Sequence, residues 1–183
     1  LVIGEGAGTL VLESLEHAQA RGATILAEVV AFATNCDAAH VTQPRAETMQ
    51  ICMAQALAQA GLKPEQIGYI SAHGTATERG DLAESEATHA LFGNRIGNRT
   101  PISSLKSYLG HTLGAWGAIE AWLALEMMNA GWFAPTINLE EPDPACAALD
   151  HIRGTGRELT IDYLMSNNFA FGGINTSLIF KRW

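Results

Sequence analysis

Four residues of this sequence have types and spacings that suit chemistry: His73, Lys106, His111 and Glu120. His73 stands in the run HGTAT, directly after a short apolar segment and before Gly74. A histidine at a strand end faces the rim of an α/β sheet, where ligands bind; its plainer reading is a side chain that caps a loop. His111 lies between Gly110 and Thr112, at the head of a long apolar run. The positive end of a helix dipole disfavours an imidazolium, so a ring placed there stays neutral. A neutral imidazole donates one hydrogen bond, which suits a developing oxyanion; the alternative is a helix-start residue with no further role. Lys106 closes an apolar strand and Glu120 sits inside an otherwise apolar helix, so each is costly unless partnered. They point to one buried ion pair, against the option of two side chains snorkelling to water.

The elements that must position these residues follow from periodicity. Residues 7–13 read as a strand and 14–21 as a helix stopped by Gly22; 25–34, ILAEVVAFAT, reads as a buried strand. Residues 45–60 carry apolar groups at helical spacing and end at Gly61 and Pro64, and 67–72 form a short strand leading into His73. Asp81 and Glu84 have the spacing of a capping box, opening a helix that stops at Gly93. A strand over 101–106 and a helix over 112–128 follow, the helix small-sided through Gly114, Ala115, Gly117, Ala118 and Ala121. After an irregular stretch from Pro135 to Arg157, strands at 160–166 and 175–181 are joined by the turn AFGG. Alternating strands and helices predict an α/β fold with helices covering a central sheet. The last two strands, with no helix between them, make that sheet mixed.

Composition narrows the function classes. Hydrophobic residues make up 48% and charged residues 16% of the 183, the balance of a globular chain with a real core. A net charge of −8 disfavours nucleic acid or an anionic membrane as partner. No apolar run reaches the ~18 residues needed to span a bilayer. The opening LVIGEGAG has no basic start and no cleavage site, so it does not read as a secretory leader. It has the look of a chain that continues ahead of Leu1, since a domain rarely begins with a glycine-rich approach to a strand. That glycine pattern precedes a strand rather than opening a helix, so it is a poor phosphate loop. Cys36, Cys52 and Cys146 are odd in number and scattered, without metal-ligand spacing. No metal site is expected, Cys52 reads as a small core residue, and a reducing cytoplasm is the simplest setting.

Taken in order, the motifs HGTAT at 73–77 with Gly80-Asp81, KSYLGHTLGAWGAIE at 106–120 and NNFAFGGIN at 167–175 resemble the C-terminal signature set of the elongating β-ketoacyl-acyl-carrier-protein synthases. GEGAGTLVLE at 4–13 is similar to the place where that family's N-terminal half ends. The resemblance implies a thiolase-like fold, with residues 1–24 ending the N-terminal half and 25–183 forming the C-terminal half. It implies decarboxylative Claisen condensation of acyl and malonyl thioesters in fatty-acid or polyketide synthesis. His73 and His111 correspond to the two catalytic histidines, which hydrogen-bond the malonyl thioester carbonyl. Lys106 and Glu120 correspond to the charged residues that organise them. Thr75 and Thr77 correspond to positions that hold the phosphopantetheine arm, which arrives on the acyl carrier protein; no tightly bound cofactor is implied. Phe171 corresponds to the gating phenylalanine and Phe169 to a pocket residue beside it. The other implied partners are the remaining half of the fold and a second subunit, identical or synthase-like.

Several features depart from the family pattern. Glu78 replaces a usual proline, Trp116 a usual small residue, and the gate reads NNFAFGG with Ala170 in place of glycine. None of the three cysteines stands in a nucleophile elbow, so this chain alone is expected not to condense. A non-catalytic partner subunit of the chain-length-factor kind is the alternative, disfavoured by the intact His73, Lys106 and His111. A thiolase or hydrolase on a related fold is disfavoured by the motif KSYLGH.

Overall fold

The computed structural model describes residues 1–93 and 99–183. Helix α1 (Leu15–Ala20) is capped by the Ser14 hydroxyl, which accepts from the His17 N–H. Strand β1 (Ala27–Cys36), helix α2 (Ala46–Ala60) and strand β2 (Ile67–Ser71) follow, then helix α3 (Glu78–Phe92) and strand β3 (Pro101–Ser103). A four-residue helix α4 (Lys106–Leu109) and a 3-10 turn (Leu113–Ala115) lead into helix α5 (Trp116–Ala130). Short strands β4 (Trp132–Phe133), β5 (Asp150–His151) and β6 (Arg157–Glu158) precede the long closing pair β7 (Tyr163–Phe169) and β8 (Ile174–Arg182).

The main sheet has the order β1-β8-β7-β2-β3-β5. The pairs β1–β8 and β8–β7 are antiparallel, whereas β7–β2, β2–β3 and β3–β5 are parallel, so the sheet is mixed as expected. Side chains alternate between its faces with a period of two. Ile70, Met165 and Ile179 turn to one side, against Met53, Leu57 and Ala87 of α2 and α3. Tyr69, Leu164 and Phe180 turn to the other, against Ala121, Ala124 and Met128 of α5. Helices thus cover both faces of one sheet, and Cys52 is fully buried in the first layer. Among the described residues no helix is long and apolar enough to cross a membrane.

Three local expectations are corrected. Residues 7–13 form no strand; the segment runs past α5, and Val11 and Leu12 are exposed. The preceding glycines allow it to lie close. A Cβ on Gly4 would stand 2.2 Å from the Leu109 carbonyl oxygen, and one on Gly8 3.0 Å from the Ala118 Cβ. The strand expected over 101–106 ends at Ser103, because the chain turns into α4, and Lys106 opens that helix. Asp81 and Glu84 do not open α3, which starts at Glu78; both lie inside it and reach back to the loop before it.

Candidate active site

The parallel strands β7, β2 and β3 are neighbours, so their carboxyl ends share one rim of the sheet. His73 leaves the end of β2, Lys106 and His111 follow the end of β3, and Phe171 follows the end of β7. Three segments far apart in sequence therefore converge where an α/β sheet binds its ligands. They border a cavity of about 730 Å³, lined among others by His73, Thr75, Thr77, His111, Phe169 and Phe171.

The two histidine rings are 5.5 Å apart between centroids and nearly perpendicular, at 87°. Each has its Nδ1 turned to a donor. The Leu113 N–H donates to His111 Nδ1 at 3.1 Å, and the Lys106 ammonium lies 3.4 Å from His73 Nδ1. A nitrogen that faces a donor cannot itself carry the proton, so in both neutral rings the proton sits on Nε2. Burial, then the Lys106 charge, then His111, hold His73 down to about 3, with Asn168 acting weakly the other way. His111 is also lowered, by burial and then by Lys106. The ring lies ahead of α5, tied by a bridge to Ile3, and burial followed by the Lys106 charge favours its neutral form.

Charged groups lie beneath the histidines. Lys106 Nζ donates to the His73 carbonyl at 2.5 Å and rests 4.3 Å from the centre of the Trp116 ring. Its pKa falls to about 8 through burial, opposed by Glu120, Glu84 and Asp81 in that order. Glu120 is 0% exposed and accepts from Trp116 Nε1 and, at 2.7 Å, from the Ser166 hydroxyl. Burial raises Glu120 to about 7, with Lys106 the strongest opposing influence. The expected contact ion pair is not formed; among the described residues no salt bridge joins Lys106 to Glu120. The Trp116 indole meets both groups instead.

Several contacts that shape the site escaped the sequence reading. Glu84 accepts the backbone N–H groups of His73 and Gly74, both at 2.8 Å, and so fixes the loop that carries the histidine. Asp81 does the same for Thr75, at 3.1 Å. The hydroxyls of Thr75 and Thr77 share a bond of 2.9 Å. Asp37, without any motif to flag it, accepts from the Arg45 N–H at 3.0 Å, from Asn175 at 2.7 Å and from Thr48. Its own N–H donates to the Gly173 carbonyl at 2.8 Å, and the Gly172 N–H donates to Val41 at 2.9 Å. The turn Phe171–Gly173 is thus strapped to the loop after β1. Gly173 has φ +76°, and a Cβ there would come 2.6 Å from the Asp37 Cβ. Phe169 is buried, whereas Phe171 is 59% exposed in this chain and borders the cavity. None of the three cysteines borders the cavity, and all are free thiols.

The chain is similar to known proteins along nearly its whole length. Residues 26–140 match the family described as β-ketoacyl synthase, C-terminal domain. The chain is 47% identical to a 3-oxoacyl-[acyl-carrier-protein] synthase 2 from Synechocystis, over 100% of this chain and 44% of that protein. A β-ketoacyl synthase structure from Burkholderia phymatum superposes with TM-score 0.89 at 61% identity, covering 93% of this chain and 41% of that one. The ishigamide ketosynthase/chain length factor superposes with TM-score 0.93 at 41% identity, covering 99% of this chain and 44% of that one. The chain thus spans less than half the length of these relatives.

Proposed function

The chain belongs to the β-ketoacyl synthase family and has its thiolase-like fold, and from that premise we propose that it supplies the decarboxylating side of a condensing active site. The observation that carries this is the pair of neutral rings, 5.5 Å apart, each with its proton on Nε2 and both bordering one cavity. Two such donors suit the thioester carbonyl oxygen of a malonyl group delivered on the phosphopantetheine arm of an acyl carrier protein. As the bond from the α-carbon to the carboxylate breaks, carbon dioxide leaves and the electron pair passes into an enolate. The His73 and His111 N–H groups stabilise its oxygen without charge rearrangement, the effect that gives an oxyanion hole its strength. The enolate carbon then attacks an acyl thioester on a cysteine; a carbon–carbon bond forms and the thiolate departs.

That cysteine comes from outside these residues, since no thiol of this chain borders the cavity. The segment alone, given acyl- and malonyl-carrier protein, yields no ketoacyl product. The Thr75 and Thr77 hydroxyls hold the arm, and Phe171 at the mouth controls entry of the acyl chain. A second subunit, identical or synthase-like, completes the assembly, and three free thiols fit a cytoplasmic setting.

The test is made in the full-length synthase, with His73→Ala and His111→Ala. Carbon dioxide release from malonyl-carrier protein is followed beside acyl transfer to the enzyme. Each variant is expected to lose about 10²–10³ in decarboxylation rate, the usual cost of one oxyanion donor, with acyl loading preserved. Loss of loading with normal carbon dioxide release would overturn the roles given to the two rings. A wild-type protein that releases no carbon dioxide yet supports turnover by another synthase would be a partner subunit.

A further inference from the structure

We propose that Trp116 is a positioning residue of this site: its indole joins Lys106 to Glu120 and thereby holds the lysine against His73. The inference rests on the functional reading above for its consequence, but on separate contacts for its substance. Trp116 is 1% exposed, and its two polar features point at the two buried charges. The ring face lies 4.3 Å from Lys106 Nζ, within the range of a cation–π contact, which strengthens when the cation is desolvated. The ring edge donates its Nε1–H to one oxygen of Glu120, while Ser166 holds the other oxygen at 2.7 Å.

These contacts reinforce one another. An N–H that donates to a carboxylate leaves its ring richer in electrons, and a richer ring face attracts the ammonium more strongly. Mere filling of space would not require the N–H to be aimed at a fully buried carboxylate. Lys106 is then left with donors for the His73 carbonyl at 2.5 Å and for His73 Nδ1 at 3.4 Å. Through Nδ1 the arrangement keeps the proton of His73 on Nε2, the nitrogen that a substrate oxygen needs.

Other charged groups face the same lysine and are part of its balance. Glu84 and Asp81 of α3 raise its pKa alongside Glu120, and its charge lowers His73 and His111. Beside Glu120 stand Ser166, Ser71 and the Tyr69 phenol. Removing the indole N–H takes a donor from Glu120 and so raises a pKa already near 7. A protonated Glu120 supports Lys106 less, which lowers the lysine. Both changes narrow the pH range over which the lysine is charged and the glutamate ionised.

The experiment uses the full-length synthase with Trp116→Phe, which keeps a ring but loses the N–H, and Trp116→Ala, which loses both. In the Phe variant the acidic limb of the decarboxylation pH profile is expected to move upward by about one unit, a tenfold change in the ionisation equilibrium. A merely structural role would lower the rate evenly and leave the limb in place. A second readout does not depend on turnover: the fluorine signal of 5-fluorotryptophan at position 116, identified by its loss in Trp116→Phe, should titrate with Glu120 and stop titrating in Glu120→Gln. An unmoved pH limb in the Phe variant together with a fluorine signal indifferent to Glu120→Gln overturns the proposal. If His73→Ala and His111→Ala leave carbon dioxide release intact, the functional reading falls and the fluorine titration still decides the linkage. Should Trp116→Ala fail to fold, the Phe variant and the fluorine signal carry the test.

Discussion

At the scale of single residues, the site works through desolvation. His73 is held at about 3 against an ordinary 6.5, so the folded state keeps it neutral while the unfolded chain protonates it in mild acid. Its contribution to stability is complete above about 6.5 and is lost as pH falls from there toward 3. The melting temperature of wild type should therefore drop relative to His73→Asn as pH is lowered from 6.5 to 4, measured in matched buffers. Equal slopes would place the ring in contact with water. Lys106 and Glu120 should show an electrostatic coupling without touching: Lys106→Met and Glu120→Gln combined should cost about 1–3 kcal/mol less than the sum of the single changes in denaturant unfolding. Phe171 makes a different case. Because its ring is 59% exposed, Phe171→Ala should cost under about 1 kcal/mol. It should instead shift which acyl chain lengths are loaded, and Ala170→Gly should speed loading by loosening the same turn. The identities of His73, His111 and Lys106 were legible as odd polar groups at element ends. The Trp116 link was not, because nothing in a linear spacing says which face of an indole meets a cation. Asp37 was invisible for a similar reason: two of its four partners, Gly173 and Asn175, are more than a hundred residues away and reach it only by folding.

At the scale of elements, long and strongly patterned segments were readable and short ones were not. The apolar spacing of 45–60 gave α2 within a residue, and β1, β2 and β8 lie close to their expected ranges. The errors share one cause. Leu10, Val11 and Leu12, and Leu105 beyond Ser103, look like strand residues, but a strand exists only where a neighbour offers its hydrogen bonds. Residues 7–13 have α5 beside them, not a strand, and the chain after Ser103 turns away from the sheet. The glycine-rich segment still matters to the site, because the Gly4 N–H donates to the His111 carbonyl at 3.0 Å and the His111 N–H to Val2 at 2.7 Å. Gly4→Ala would bring a Cβ to 2.2 Å from the Leu109 oxygen and push that bridge apart. Decarboxylation should fall at least about tenfold through displacement of the His111 ring, with acyl loading retained. An unchanged rate would mean that His111 is placed without this support.

At the scale of the whole molecule, three segments separated by dozens of residues meet because β2 lies between β7 and β3. That order also governs how the chain can acquire its structure. Strand β1, near the start, finds its hydrogen-bonding partner in β8, so that Ala27 sits opposite Arg182. Strand β2 gains one of its two neighbours from β7. During synthesis, β1 and the helices after it leave the ribosome long before either partner exists, leaving β1 without its partner in the sheet and β2 with one edge open. Contacts of such high sequence separation make folding slow and expose edges that invite association. A series of arrested nascent chains should therefore remain protease-sensitive over β1 and α2 until the codons for β8 have been read and its residues have cleared the exit tunnel. Protection should then appear in a single step, because β8, which joins β1 to β7, follows the other strands of the sheet in sequence.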